Sequence, residues 1–387
     1  PFLSSSSARV RCPELELPRR VRSMPEVTAT VDVCVVCSGA PKRGMGWYHC
    51  KQLFDNRVKG ARLTDVVEPW FLGKGKGSSA DFEEWQKKSQ GIAFHEKIGD
   101  VPVPAGAPKL AIICCRTMDA PRIFREAIDH GFTHVYLEKP GAPTVADLEE
   151  MTKYAKDKGV PVFMGFNRNF SKYVRLAQDF YTTAPASASL TIGRNDMFNS
   201  PEAMDECFER NAEGMMKNMM IHELVVLISY FGLTVDAIDA VVQDKVYTTI
   251  ETRKGFTDFS KVGFTLKLKS GREIKVWGDR ANGEYSEAVV TDGGKELFKA
   301  VRPDDENKAS AAQLEEACPG CMPYFYLQDG EYLLLKQAFV DHIIQKKDGV
   351  PAGVPSITTA IEGLRLCEFL TGKLMEGEEP PAKKQKV

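Results

Sequence analysis

The chain has 387 residues, enough for two domains, and its 43% hydrophobic and 27% charged residues are ordinary globular usage, which excludes a disordered or collagen-like polymer. Its 51 basic and 53 acidic residues leave a formal charge of -2, so no global field draws it to nucleic acid or an anionic membrane. No apolar run approaches the roughly 18 residues of a membrane span; the longest, Leu224 to Leu233, is short and contains Ser229.

Residues 1–28 read as a disordered leader. They are Ser- and Arg-rich and begin at Pro1. Two readings stay open for residues 1–23: the remnant of an organelle transit peptide, or translated sequence upstream of a start at Met24. The expected compartment is the cytoplasm, or an organelle under the first reading. The ten cysteines are scattered, which suits free thiols in a reducing compartment better than a disulfide scaffold.

Val31 to Cys37 is a β-branched apolar run, as a parallel strand buried on both faces requires. After a Gly/Pro/Lys/Arg loop, Trp47 to Asn56 reads as a helix and Ala61 to Val67 as a strand. A Gly/Lys loop at Gly73 to Gly77 precedes a helix from Asp81 to Ser89. Leu110 to Cys115 is a second buried strand, and Pro121 to His130 a helix stopped by Gly131. His134 to Leu137 is a strand. Thr144 to Lys158 is a helix with Thr144 as N-cap and Asp147 in a capping-box position. Pro161 to Gly165 is a last short strand. Strands alternating with helices predict βαβ units and a parallel sheet.

Beyond Asn167 the pattern changes. A helix is predicted from Ser171 to Tyr181, a strand from Ser187 to Ile192 and one long helix from Gly214 to Tyr230. Period-2 alternation over Lys261 to Lys269, Glu273 to Trp277 and Tyr285 to Thr291 predicts a mostly antiparallel sheet. Helices return at Glu331 to Gln345 and Ser356 to Thr371. The expected organisation is a dinucleotide-binding domain over 29–166, an α/β substrate and oligomerisation domain over 167–373, and a disordered tail over 374–387. Substrate specificity is expected in loops around Asn195 to Asn211 and Gly278 to Gly283.

Gly39-Ala-Pro-Lys-Arg-Gly44-Met45-Gly46 joins a buried strand to a helix, where a dinucleotide pyrophosphate rests on backbone N–H groups. The strict G-x-G-x-x-G spacing is absent, and the loop is about two residues longer than that pattern. Glu68 ends the next strand about 20 residues on, where an acid binds the adenine ribose hydroxyls and favours NAD. Lys42, Arg43, Lys74 and Lys76 are cations that could neutralise a 2′-phosphate, so NAD and NADP both stay open. In His134-Val-Tyr-Leu-Glu138-Lys139-Pro140 a strand runs into charged residues. Pro140 holds Lys139 at the strand's carboxyl end, the ligand crevice of an open α/β sheet.

Gly46-x-x-His49, Glu138-Lys139-Pro140 and Gly165-Phe-Asn-Arg168-Asn-Phe170 resemble, in order and spacing, the Gfo/Idh/MocA family, the glucose-fructose oxidoreductase and inositol dehydrogenase group. The helix carrying His222 fits as well, and the resemblance spans about Val31 to Thr371. It implies a Rossmann domain followed by an α/β domain with a mostly antiparallel open sheet that makes a homo-oligomer contact. It also implies hydride transfer between NAD or NADP and a sugar- or polyol-like alcohol or carbonyl. The catalytic residues it implies are Lys139 and His222, assisted by Asn218, which stands where the family usually has Asp. Those expected at the cofactor are Gly39, Gly44, Met45, Gly46, Glu68, Arg116, Thr117, Glu138, Lys139, Pro140 and Arg168. The expected partner is a small-molecule substrate, with no metal, nucleic acid or membrane. The alternative is a nucleotide- or sugar-sensing protein without turnover, which Asn218 and the irregular glycine loop motivate.

Two further signals carry less. Cys318-Pro-Gly-Cys321 has redox or metal spacing but no second pair, and reads as a surface loop with two thiols. Lys383-Lys-Gln-Lys386-Val resembles a short basic import signal.

Overall fold

The computed structural model describes residues 30–73, 79–103 and 106–376. The expected leader, Lys74, Lys76 and the basic C-terminal signal lie outside the described residues.

The first domain follows the predicted alternation. Its elements are β1 (Val31–Val36), α1 (Met45–Phe54), β2 (Ala61–Val67), α2 (Pro69–Leu72), α3 (Ala80–Lys88), β3 (Ala93–His95), β4 (Lys109–Ile113), α4 (Ala120–His130), β5 (His134–Glu138), α5 (Val145–Lys158) and β6 (Val162–Gly165). The sheet order is β3-β2-β1-β4-β5-β6 and every pair is parallel. The order reverses between β1 and β4, which opens a crevice at the strands' carboxyl ends. Capping sets the helix limits: Gly131 closes α4 at φ 105, and the Thr144 hydroxyl accepts from the Asp147 N–H at the start of α5. Asp147 answers to that hydroxyl, so the capping box is not completed through the backbone.

The second domain adds α6 (Lys172–Thr183), β7 (Ser189–Asp196), α7 (Pro201–Arg210), a π-helical turn (Met216–Met220), α8 (Ile221–Phe231), β8 (Ile238–Gln243), β9 (Thr249–Arg253), β10 (Phe256–Leu268), β11 (Glu273–Asn282), β12 (Tyr285–Asp292) and β13 (Lys295–Arg302). The sheet order is β13-β12-β7-β11-β10-β8, with β9 on β10. Only β7 and β11 run parallel, so the sheet is mixed and mostly antiparallel as expected. Three helices close the chain: α9 (Asp305–Ala317), α10 (Pro323–Ile344) and α11 (Ile357–Leu374).

The loops expected to carry specificity are largely regular structure. Residues 201–210 form α7 because Ser200 caps Ala203 N–H and Pro201 occupies the first helical turn. Residues 278–282 extend β11 because they pair with Arg194, Asn195 and Asp196 on β7. The predicted long helix from Gly214 is continuous over residues 215–231, with a π turn in its first part.

Two cores hold the molecule. One joins one face of the first sheet, including Ala111, Leu137 and Met164, to α5, α8, α11 and the inner face of the second sheet. The other covers the opposite face, where Leu110, Ile112 and Phe163 meet Leu335, Phe339 and Ile343 of α10. The Phe163 and Phe339 rings stack at 5.4 Å. A helix from the last fifth of the chain thus shields the nucleotide-type sheet from water.

Candidate active site

The glycine loop forms a tight turn between β1 and α1. Gly39 has φ 70, and the Trp47 N–H donates to the Ser38 carbonyl. A Cβ on Gly44 would stand 2.4 Å from Ser38 O, and one on Gly46 2.6 Å from Cys37 O, so only glycine lets the α1 end approach this closely. Helix α1 begins with no side-chain cap and no acid in its first turn, leaving its positive end to an anion.

Glu68 stands beside this turn and is only 2% exposed. Its carboxylate accepts from Gly39 N at 2.7 Å, Ser38 Oγ at 3.1 Å and Trp70 N at 2.9 Å. It holds the turn. Glycines whose Cβ atoms cannot be accommodated, an uncapped helix end and a buried acid after β2 fit a dinucleotide. Arg116 is exposed and Thr117 half-buried at the carboxyl end of β4, on the rim of the same crevice.

At the end of β5 the Lys139 Nζ donates to the Asn218 carbonyl at 2.7 Å. That carbonyl lies in the π turn directly before α8, which carries His222. The turn is entered through Gly214 at φ 91, with the Met215 N–H donating to Asp258 at 2.7 Å. The Asn218 amide donates instead to Asn211 Oδ1 at 2.8 Å and to Glu213 Oε1 at 3.3 Å. A regular helix would place residues 218 and 222 on one face. The wider turn gives Asn218 a different part, with its backbone meeting Lys139 and its side chain bracing the 211–213 loop.

His222 is 6% exposed and its Nδ1 has no hydrogen-bond partner. The Phe166 ring packs edge-on at 5.9 Å. Burial first, then the Lys139, Arg194, Arg168 and Arg302 charges, hold the imidazole well below its ordinary pKa. It is neutral, and it feels the Lys139 ammonium directly. Burial also lowers Lys139, with Glu138 opposing and Arg194 adding to the depression.

The Glu138 carboxylate has its own partners. Its Oε1 meets His49 Nε2 at 2.9 Å and the Tyr136 hydroxyl at 2.7 Å, while Lys336 Nζ lies 2.7 Å from His49 Nδ1. A lysine only donates when charged, so Nδ1 accepts and Nε2–H donates to Glu138. Burial would raise the Glu138 carboxyl, but His49, Tyr136 and Lys139 outweigh it and hold it low. Burial and the Lys336 charge lower His49 to about 4, and burial lowers Lys336 to about 7 against Glu138 and Asp329.

Arg168, expected at the cofactor, has its guanidinium engaged by the second sheet. It is buried in an ion pair with Glu284 at 2.7 Å, beside Ser286 on the second sheet. The sequence reading missed Arg194, Glu213 and Tyr324, and covered Asp196 only as part of the loop around Asn195 to Asn211. Arg194 lies 3.7 Å from Asp196 and 3.8 Å from Glu223, with its Nε unpartnered. The Tyr324 hydroxyl is pushed up to about 12 by burial, with Asp196, Glu284 and Glu138 acting on it beyond that. The alternation of β7 placed Arg194 inward in principle; nothing in the sequence linked Tyr324 or Lys336 to the charged groups around them.

Residues 71–166 match the family model described as the Gfo/Idh/MocA oxidoreductase family with an NAD-binding Rossmann fold. No curated protein sequence matches the chain. Among solved structures, a probable dehydrogenase from Thermotoga maritima superposes with a TM-score of 0.65 at 18% identity, covering 89% of this chain and 97% of that one. A putative myo-inositol dehydrogenase from Sinorhizobium meliloti 1021 gives 0.65 at 17%, covering 91% and 100%. Scyllo-inositol dehydrogenase from Lactobacillus casei, with bound NAD(H) and scyllo-inositol, gives 0.64 at 15%, covering 88% and 95%. These structural likenesses are likenesses of fold. Among the described residues no helix is long and apolar enough to cross a membrane.

Proposed function

From an NAD-binding Rossmann domain of the Gfo/Idh/MocA oxidoreductase family, we propose that the chain is a dehydrogenase of sugar- or polyol-like alcohols, interconverting a secondary alcohol and its carbonyl. The observation that carries this reading is a buried His222, its Nδ1 without a hydrogen-bond partner, that feels the charge of a Lys139 ammonium anchored on the Asn218 carbonyl one turn earlier. NAD, when bound, supplies hydride acceptance or donation at its nicotinamide ring.

Lys139 donates a hydrogen bond to the reacting oxygen and steadies negative charge on it. His222 takes the hydroxyl proton during alcohol oxidation and returns it during carbonyl reduction. The Asn218 carbonyl fixes the Lys139 ammonium. A polyol needs donors and acceptors around its ring, and Arg194, Asp196 and Glu213 supply both near Lys139. Glu68 favours NAD, because its carboxylate would repel a 2′-phosphate beside the ribose.

We also infer self-association through the outer face of the second sheet. There the Trp277 ring lies over Gly193 and pairs with Tyr247 at 6.2 Å and Tyr285 at 6.4 Å, an aromatic row on a sheet face.

The test is to mix the purified chain with NAD or NADP and a panel of inositols, aldoses and ketoses, reading cofactor reduction by absorbance. Turnover of a cyclic polyol or sugar with NAD is expected. Tight cofactor binding without turnover across the panel would overturn this reading and favour the sensor.

A further inference from the structure

The loop between α9 and α10 is more organised than a surface turn. The Cys318 and Cys321 sulfurs lie 3.5 Å apart, unbonded. The Tyr326 hydroxyl, one turn into α10, staples both residues: it accepts from the Cys321 N–H at 2.9 Å and donates to the Cys318 carbonyl at 2.7 Å. Gly320 at φ 81 makes the corner between them. The thiols are therefore held face to face by backbone contacts, at a cost in chain freedom already met on folding.

The same loop grips the nucleotide turn. Lys42 Nζ donates to the Pro319 carbonyl at 2.8 Å, and the Met322 N–H donates to the Lys42 carbonyl at 3.0 Å. Lys42 has φ 64 and sits between Gly39 and Gly44, so this clasp bears on the unusual conformation of the glycine loop itself.

We propose that Cys318 and Cys321 form a reversible dithiol–disulfide site that reports redox state to the dinucleotide turn through Lys42. The coupling half rests on the nucleotide-binding reading; the thiol chemistry does not. Cys318 is partly exposed and Cys321 is buried, with burial and the neighbouring Cys318 pushing its thiol up to about 11. Cys318 is accordingly the attacking sulfur and Cys321 the resolving one. The co-reactant is a low-molecular-weight disulfide. The Cys318 thiolate attacks one of its sulfurs, breaking that S–S bond and releasing the first small thiol. The Cys321 thiolate then attacks Cys318 Sγ and releases the second. Two cysteine thiols are oxidised by two electrons, and the two protons end on the two departing thiols. Closing the bond draws Pro319 and Met322, and with them Lys42, out of their present register.

The experiment treats the full reduced chain with oxidised glutathione, maps cross-linked peptides by mass spectrometry, and titrates NADH by fluorescence before and after. A Cys318–Cys321 cross-link is expected, reversed by dithiothreitol. NADH binding should weaken by about fivefold or more in the oxidised wild type, the lower range of a coupling between sites, and stay unchanged in Cys318→Ser. Absence of the cross-link at every glutathione ratio would overturn the site, and a cross-link with unaltered NADH affinity would overturn the coupling. A reduced chain that binds no NADH would sink the function proposed above, while the peptide map scores the thiols independently.

Discussion

At the scale of single residues, the account depends on charge state and on missing atoms. His222 is held neutral well below its ordinary pKa, so its folded state binds fewer protons than a free imidazole. The acid limb of kcat/KM for alcohol oxidation is therefore expected below about pH 6.5, the value of an unperturbed histidine. A limb at or above that value would show the base to be another group. Gly46→Ala places a Cβ against Cys37 O and Ser38 Cα. It should cost about 1–3 kcal/mol of stability by overpacking and weaken NADH binding, both readable from thermal melts with and without cofactor. The placement of Lys139 at a strand end and of the glycines in a turn was legible because punctuation and strand ends expose it. The Arg168–Glu284 pair was not legible, because a motif gives order along the chain but not where a long side chain ends.

At the scale of elements, the π turn and α10 matter most. Asn218 contributes a carbonyl to Lys139, which any residue supplies, and an amide to the 211–213 loop. Asn218→Ala should thus lower kcat by less than about tenfold, far short of the loss of a proton-transfer group. Sequence periodicity could not find the turn, because one extra residue in a helix leaves the apolar pattern nearly intact.

Lys336 on α10 tests the buried chain behind Glu138. Its folded pKa is about 7 against an ordinary 10.5, so between those values the unfolded chain binds more protons. Stability attributable to this group is lowest below pH 7 and rises as pH climbs from 7 toward 10.5. Lys336→Met should flatten that part of the slope when urea midpoints are compared at pH 7 and 9. An unchanged slope would contradict a depressed Lys336. Phe339→Ala on the same helix should cost about 3–5 kcal/mol, since the ring is fully buried against Phe163.

At the scale of the whole molecule, the order of elements was readable and the packing between distant ones was not. Alternating strands and helices gave the parallel sheet, and period-2 runs gave the second. Strands β3, β8, β9 and β13 escaped because their partners, more than their own composition, define them. That α10 covers the first sheet could not be read, since nothing in residues 323–344 names Tyr136 or Phe163 as neighbours. Light scattering should find an oligomer, dissociated by Trp277→Glu, which puts a charge into the aromatic row; a wild-type monomer would contradict association through that face.

The claim beneath all of this is that one polar group from each domain acts on the same reacting oxygen. Kinetics of Lys139→Met, His222→Asn and the double variant, on the polyol the panel selects, test it most directly. Each single change should lower kcat by about 10²–10⁴-fold with NADH affinity retained, and the double variant should be little slower than the slower single one, as for groups that work as a unit. Near-normal kcat in either single variant, or losses that multiply in the double, would contradict it.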